Sequence, residues 1–161
     1  MAEKKKILLL SDDLRMSSGI ATVSKELVFG TFDILHLGHV DLFLQAKKYA
    51  EQLIVVVARD ERVKKIKGKA PIHSEEERRI LLGHIDCVDE AILGDESDVY
   101  NVIVEKKPDI IALGYDQTVF VDKLEEVVSS NTLHTKVVRL KPYKAEKYKS
   151  GIIKEVIHSQ L

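Results

Sequence analysis

The sequence predicts an α/β protein built on a doubly wound parallel sheet, and three observations carry that expectation. Short β-branched runs alternate with stretches of helical spacing, the pattern of strands buried on both faces between helices. Two of these runs are followed by glycine-containing turns, Gly30-Thr31-Phe32-Asp33 and Gly114-Tyr115-Asp116-Gln117, at the strand ends where such sheets take their ligands. The chain has 161 residues, the size of one domain, and at 45% hydrophobic content it can bury a sizeable core.

The elements follow in order. Lys6 to Leu10 is an apolar run stopped by Ser11-Asp12-Asp13 and reads as a strand, with a loop and a helix start in Ser17 to Ala21. Leu27 to Phe29 is the strand that delivers Gly30. His39 to Glu51 carries helical spacing, with Val40, Leu42, Phe43 and Leu44 as its apolar positions. Leu53 to Ala58 is a continuous apolar strand, and the basic stretch Lys64 to Ile72, with Gly68 inside it, reads as a loop. Ser74 to Leu82 is a helix, because Ser74 followed three residues on by Glu77 forms a capping-box signature. Strands over Glu90 to Leu93, Ile110 to Leu113 and Lys136 to Leu140 then alternate with helices over Asp98 to Lys106, Lys123 to Ser129 and Ser150 to Ile157. Such alternation implies right-handed crossovers and a parallel sheet.

Composition narrows the function classes. The formal net charge is −1, from 25 basic and 26 acidic residues, so nothing overall favours nucleic acid or an anionic membrane surface. The single Cys87 can form neither an internal disulfide nor a zinc site, which fits a reducing compartment and a small core residue. The longest apolar runs are far shorter than the roughly 20 residues of a membrane span. The apolar stretch after the basic start ends at Ser11, too early for a secretory signal. A cytoplasmic protein with no nucleic-acid or membrane partner is expected.

The segment Gly30 to Val40 carries the densest chemistry. His36 and His39 are three residues apart, split by Gly38, so a helix beginning near Leu37 turns both imidazoles to one pocket. Gly38 lets a bulky anion approach the backbone, and a helix N-terminus adds N–H donors and a positive dipole end. A lone histidine beside apolar residues is more often a satisfied core or surface group; two of them between G-T-F-D and an apolar run point to phosphate handling. The lysines from Lys64 to Lys69 are mobile point charges, and Lys64 and Lys65 read as a solvated face. Arg78 has the guanidinium fork that suits phosphate, its plain alternative being an ion pair with Glu75; of Arg78 and Arg79, one is expected to be only that. Asp33 reads either as a turn residue or as a group that orients a histidine or stands near a metal. Ser150 opens the last helix and alternatively only caps it.

The stretch Gly30-Thr31-Phe32-Asp33-Ile34-Leu35-His36-Leu37-Gly38-His39 resembles the HxGH signature of the nucleotidyltransferase superfamily, in its cytidylyltransferase-like branch. The resemblance spans roughly Leu27 to Ile157 and implies a Rossmann-like fold that handles a nucleoside triphosphate. It implies His36, His39, Lys69 and Arg78 in catalysis, with Gly30, Thr31, Phe32, Asp33, Gly38, Lys67, Gly114, Asp116, Gln117 and Ser150 at the nucleotide. No side chain is assigned as a metal ligand, Mg2+ being carried by the nucleotide. The segment Lys149-Ser150-Gly151-Ile152-Ile153 departs from the family's R-T-x-G-I-S-T-T, with Gly151 where a hydroxyl residue stands.

Within that branch, Ala58-Arg59-Asp60, the K-G-K-A-P-I run, the L-G-Y-D-Q turn and Arg139 to Tyr143 with Tyr148-Lys149-Ser150 look most like the archaeal FAD synthases. Those transfer AMP from ATP to FMN, giving FAD and pyrophosphate. Two other readings stay open. One is a cytidylyltransferase that uses CTP to activate a polyol or alcohol of the glycerol-3-phosphate type; such enzymes share the pair His73-Ser74 but tend to a G-D-D-W turn. The other is a non-catalytic nucleotide-binding module. Relatives are commonly dimers, so a homodimer is expected. A domain of this type needs few residues before its G-T-F-D turn, so 26–161 reads as the transferase domain. Residues 1–25 read as an N-terminal extension, either a fused or engineered segment or an added strand and helix on the sheet edge.

Overall fold

Among the described residues five parallel strands, β1 (Lys25–Gly30), β2 (Gln52–Val57), β3 (Glu90–Leu93), β4 (Ile110–Leu113) and β5 (Lys136–Arg139), form one sheet in the order β3-β2-β1-β4-β5. The computed structural model describes residues 23–161. The helices are α1 (Leu37–Ala46), α2 (Asp60–Lys67), α3 (Glu75–Gly83), α4 (Asn101–Lys106), α5 (Leu124–Ser130) and α6 (Ser150–Ser159). The chain runs outward from β1 to β2 and β3, then returns to the other side of β1 for β4 and β5. A doubly wound sheet has its topological switch where those two directions part, which here is beside β1.

The sheet is buried on both faces, which is why its strands read as continuous apolar runs and not as alternating ones. On one face Val28, Leu53, Val55 and Ala112 meet Phe43 and Ala46 of α1 and Leu82 of α3. On the other, Leu27, Phe29, Ile54, Val56 and Ile111 meet Val102 and Ile103 of α4 and Leu124 of α5. A one-residue slip would exchange these sets, so register is strongly specified.

Several bounds differ from the sequence reading. α1 starts at Leu37 and ends at Ala46, short of Glu51, with hydrogen-bonded turns closing it through Tyr49. The strand expected at Leu27–Phe29 takes in Lys25 to Gly30, so the boundary at 26 falls inside β1. Ser24 is part of the same fold: its amide donates to Glu51 at 3.2 Å and its hydroxyl accepts from the Glu51 amide at 3.1 Å. The strand expected at Lys6 to Leu10 and the helix start after it lie outside the described residues.

The larger correction is α2. The basic stretch from Lys64, expected as a loop, begins in a helix, and the loop starts only at Gly68. Asp60 and Glu61 stand in the first turn and Lys64, Lys65 and Lys67 in the last, both complementing the helix dipole. Gly68 closes the helix in the left-handed region, φ 73°, its N–H bonded to the Lys64 carbonyl. The helix escapes a periodicity search because Val63 is its one buried residue. The capping box at Ser74 and Glu77 forms as expected: the Ser74 hydroxyl accepts from the Glu77 amide at 3.3 Å and the Glu77 carboxylate from the Ser74 amide at 2.8 Å.

Glu26 sits fully buried at the second position of β1, and neither carboxylate oxygen has a hydrogen-bond partner. Burial pushes its carboxyl up to about 8, against the opposing pull of Lys47. The folded protein therefore keeps Glu26 protonated up to about pH 8, while the unfolded chain ionises it near 4.5, so stability falls as pH rises through that interval. Glu26→Leu is expected to raise unfolding stability by on the order of 2 kcal/mol at pH 8 and much less at pH 4.5. Urea titrations at the two pH values check this; an equal gain at both would remove Glu26 as the source.

Candidate active site

A cavity of about 600 Å³ opens at the carboxyl ends of β1, β2 and β4, the place this topology reserves for ligands. It is built first by the turn after β1. Gly30 has no Cβ because one would lie 2.6 Å from the Phe32 ring. Phe32 holds φ 52° and drops its ring into the core, 5.3 Å from both Phe43 and His39. That inward turn sets the path by which the chain enters α1.

His36 caps α1 and His39 lies within its first turn, so their rings stack at 3.8 Å with 20° between planes. Both Nδ1 atoms are buried without a hydrogen-bond partner, while Nε2 of His36 faces the Ser150 hydroxyl at 3.4 Å. Burial holds both imidazoles below the usual histidine range, His39 down to about 3, where His36 and Lys67 add their repulsion. The pair is therefore neutral at pH 7, with unspent polar atoms beside a cavity. Gly38 has another explanation than close approach of an anion: a Cβ there would lie 2.9 Å from both the Tyr148 carbonyl oxygen and the His36 ring. The glycine lets α1 dock against the segment before α6.

α6 supplies the facing wall. Ser150 and Lys154 are one helical turn apart and both line the cavity. The N-cap of α6 is Lys149, not Ser150, which leaves the Ser150 hydroxyl free to meet His36. Lys149 pairs with Asp116 at 3.1 Å, joining α6 to the Gly114–Gln117 turn. Within that turn the Gln117 side chain accepts from the Gly114 amide at 3.3 Å, and Arg139 of β5 holds the Gly114 and Gln117 carbonyls at 2.7 and 2.9 Å.

Asp33 serves the loop between α2 and α3. Its carboxylate accepts from the Ile72 and His73 amides at 2.9 Å each and from Lys154 at 2.8 Å. Burial would raise its pKa, but the His73 and Ile72 amides and Lys154 outweigh it and hold Asp33 at about 2. It orients neither His36 nor His39; it fixes a loop and a lysine. Lys67 reaches the same place from α2, 3.2 Å from the Thr31 hydroxyl, and Lys69 lies on the loop beyond. Burial, with Lys154 nearby, lowers the Lys67 ammonium.

All the residues singled out as phosphate or nucleotide contacts line this cavity except Arg78. Arg78 is 1% exposed and donates to the carbonyls of His73 at 3.1 Å, Thr31 at 2.6 Å and Ala58 at 2.9 Å, and to Asp60 at 2.5 Å. Its fork is spent on protein oxygens, so it positions the turns around the cavity and is not placed to grip phosphate. Nor does it pair with Glu75, which is taken by Arg59; Arg79 makes the exposed ion pair, with Glu76. Sequence reasoning missed Lys154, whose signal was its one-turn spacing from Ser150. Tyr143 and Tyr148, which the sequence offers only as points of family resemblance, turn out to stack with rings 5.8 Å apart and to continue to His36 at 6.3 Å. No sequence periodicity announces that contact.

The comparisons with known proteins agree with this geometry. A family model described as cytidylyltransferase-like matches residues 27–156. The chain is 48% identical over 130 residues to the FAD synthase of Archaeoglobus profundus, covering 80% of this chain and 83% of the relative. It is 40% identical over 128 residues to the FAD synthase of Thermoplasma volcanium, covering 80% of this chain and 89% of that one. A crystal structure described as the lipopolysaccharide core biosynthesis protein from Thermoplasma volcanium GSS1 matches with TM-score 0.71 at 40% identity, over 76% of this chain and 100% of that one. A pantoate-beta-alanine ligase from Francisella tularensis, at 14% identity and TM-score 0.54 over 88% of this chain and 72% of that one, shares the fold alone. The fold and the paired histidines define a nucleotidyltransferase. The chain belongs to the cytidylyltransferase-like family.

Proposed function

We propose that the protein is an FMN adenylyltransferase, which transfers AMP from ATP to FMN and releases pyrophosphate. The observation that carries the reading is the stacked, neutral His36–His39 pair with unpartnered nitrogens, in a cavity that also gathers Lys67, Lys69, Lys154 and Ser150. Identities of 40 to 48% to FAD synthases support the choice of ATP and FMN.

In the proposed reaction an oxygen of the FMN phosphate attacks the α-phosphorus of ATP, forming one P–O bond as the bond to the β-phosphate oxygen breaks. No covalent enzyme intermediate is required; positioning and charge neutralisation do the work. His36 and His39 donate to oxygens whose charge grows as pyrophosphate departs, and Ser150 orients His36. Lys67 and Lys69 close on the triphosphate as point charges. Asp116 and the Gly114–Gln117 turn meet base and ribose. Mg2+ bound with the nucleotide would supply further positive charge against the phosphates.

A cytoplasmic homodimer is part of the same proposal: one free cysteine suits a reducing compartment. Among the described residues no helix is long and apolar enough to cross a membrane. The test is pyrophosphate release with ATP or CTP, each offered FMN or glycerol 3-phosphate. ATP with FMN is expected to be the productive pair; turnover confined to CTP with glycerol 3-phosphate would replace the reading with a cytidylyltransferase.

A further inference from the structure

The cavity straddles β1, and its two halves have different chemistry. On the face covered by α1 it presents His36, His39, Ser150 and Lys154, groups that suit a triphosphate. On the face covered by α4 and α5 its floor is Phe29, Val56 and Val99, members of the apolar core there. We propose that this second half is the acceptor's pocket, shaped for a flat aromatic ring system, with Phe120, Ile66 and Val119 determining acceptor specificity; the proposal rests on the FMN adenylyltransferase reading.

Two observations, and the direction of attack that the proposed reaction requires, carry it. The first is the wall at Phe120. Its backbone holds φ 59°, a left-handed conformation that costs a bulky residue of order 1 kcal/mol and persists only when its surroundings impose it. Here the Tyr100 hydroxyl donates to the Phe120 carbonyl at 2.7 Å, and the Phe120 ring lies 4.9 Å from that of Phe29. An aromatic side chain is thus preset against the cavity.

The second is exposed apolar surface inside the cleft. Ile66 on α2 is 49% exposed and Val119 beside Phe120 is 44% exposed, yet both line the cavity. Arg62, one turn before Ile66 on α2, lines the same cavity as Phe120. Covering such side chains with a ligand is favourable by roughly 25 cal/mol per Å² of apolar surface.

The third ground is the direction of attack. In-line displacement sets entering and leaving oxygens on opposite sides of the phosphorus. With pyrophosphate leaving among the histidines, Ser150 and Lys154, the acceptor enters from across β1, where the wall is apolar. A small polyol phosphate would leave that wall wet, whereas the isoalloxazine ring of FMN would cover it.

Ile66→Ser and Val119→Ser test this in the full chain, since both residues are exposed and neither change empties the core. Each is expected to raise the apparent constant for FMN about tenfold, equivalent to about 1.4 kcal/mol, while that for ATP moves less than twofold. Ile80→Ser, on α3 and outside the cavity, should alter neither. FMN fluorescence titrated without nucleotide reads the pocket independently: quenching by the wild type should be lost in the double variant. Unchanged FMN constants and quenching, or a rise confined to ATP, would overturn the proposal. Failure to form FAD at all sinks the transferase reading instead; in that case quenching that persists in the double variant sinks the pocket too, and quenching that is lost sustains it.

Discussion

His36→Ala and His39→Ala are each expected to lower turnover by about a hundredfold or more while the protein keeps its circular dichroism spectrum. Each change removes a preorganised donor to charge that grows as pyrophosphate leaves. The rings occupy the edge of a cavity, so loss of one leaves the α1 core contacts through Phe43 and Ala46 in place. The electrostatics add a pH signature. Burial keeps His39 neutral in the empty site down to about pH 3, and an arriving triphosphate favours the imidazolium. Nucleotide binding should then take up protons and tighten as pH falls from 8 to 6. Calorimetry in two buffers of different ionisation enthalpy measures that uptake, and His39→Ala should reduce it. Near wild-type turnover in either variant would end the transferase assignment.

Arg78→Met is expected to cost about 3–5 kcal/mol of stability and to lower the melting temperature by about 10 °C. The side chain is 1% exposed, and its removal leaves three carbonyls and the Asp60 carboxylate without their donor. Those carbonyls belong to Thr31, Ala58 and His73, in three different loops around the cavity, so the clamp's loss should also loosen nucleotide binding. Arg78→Lys should recover little, because a single ammonium cannot reproduce a planar fork with four bonds. Thermal denaturation alongside single-turnover kinetics separates the two roles. A variant with wild-type stability and lost chemistry would return Arg78 to the phosphates.

Arg78 also shows where reading a sequence stops. An arginine four residues into a capped helix is compatible with gripping phosphate or an exposed ion pair, and here it does neither. What decides is which carbonyls three distant segments bring to it, and no local pattern carries that. Asp33 and Gly38 teach the same lesson. Their types were right for a tight turn near a ligand, but Asp33 serves the Ile72–His73 backbone and Gly38 makes room for the Tyr148 carbonyl. The aromatic column from Tyr143 through Tyr148 to His36 joins residues more than a hundred positions apart.

The sequence by itself determined the fold class, the parallel strands and the two histidines on one helix end. Each of these follows from short-range regularity: apolar runs that must be buried on both faces, and the one-turn spacing of side chains on a helix. Only the tertiary structure decided that α2 exists and that Lys154 faces Asp33. Those outcomes depend on long-range packing across the sheet, where the burial of distant apolar groups outweighs local propensity.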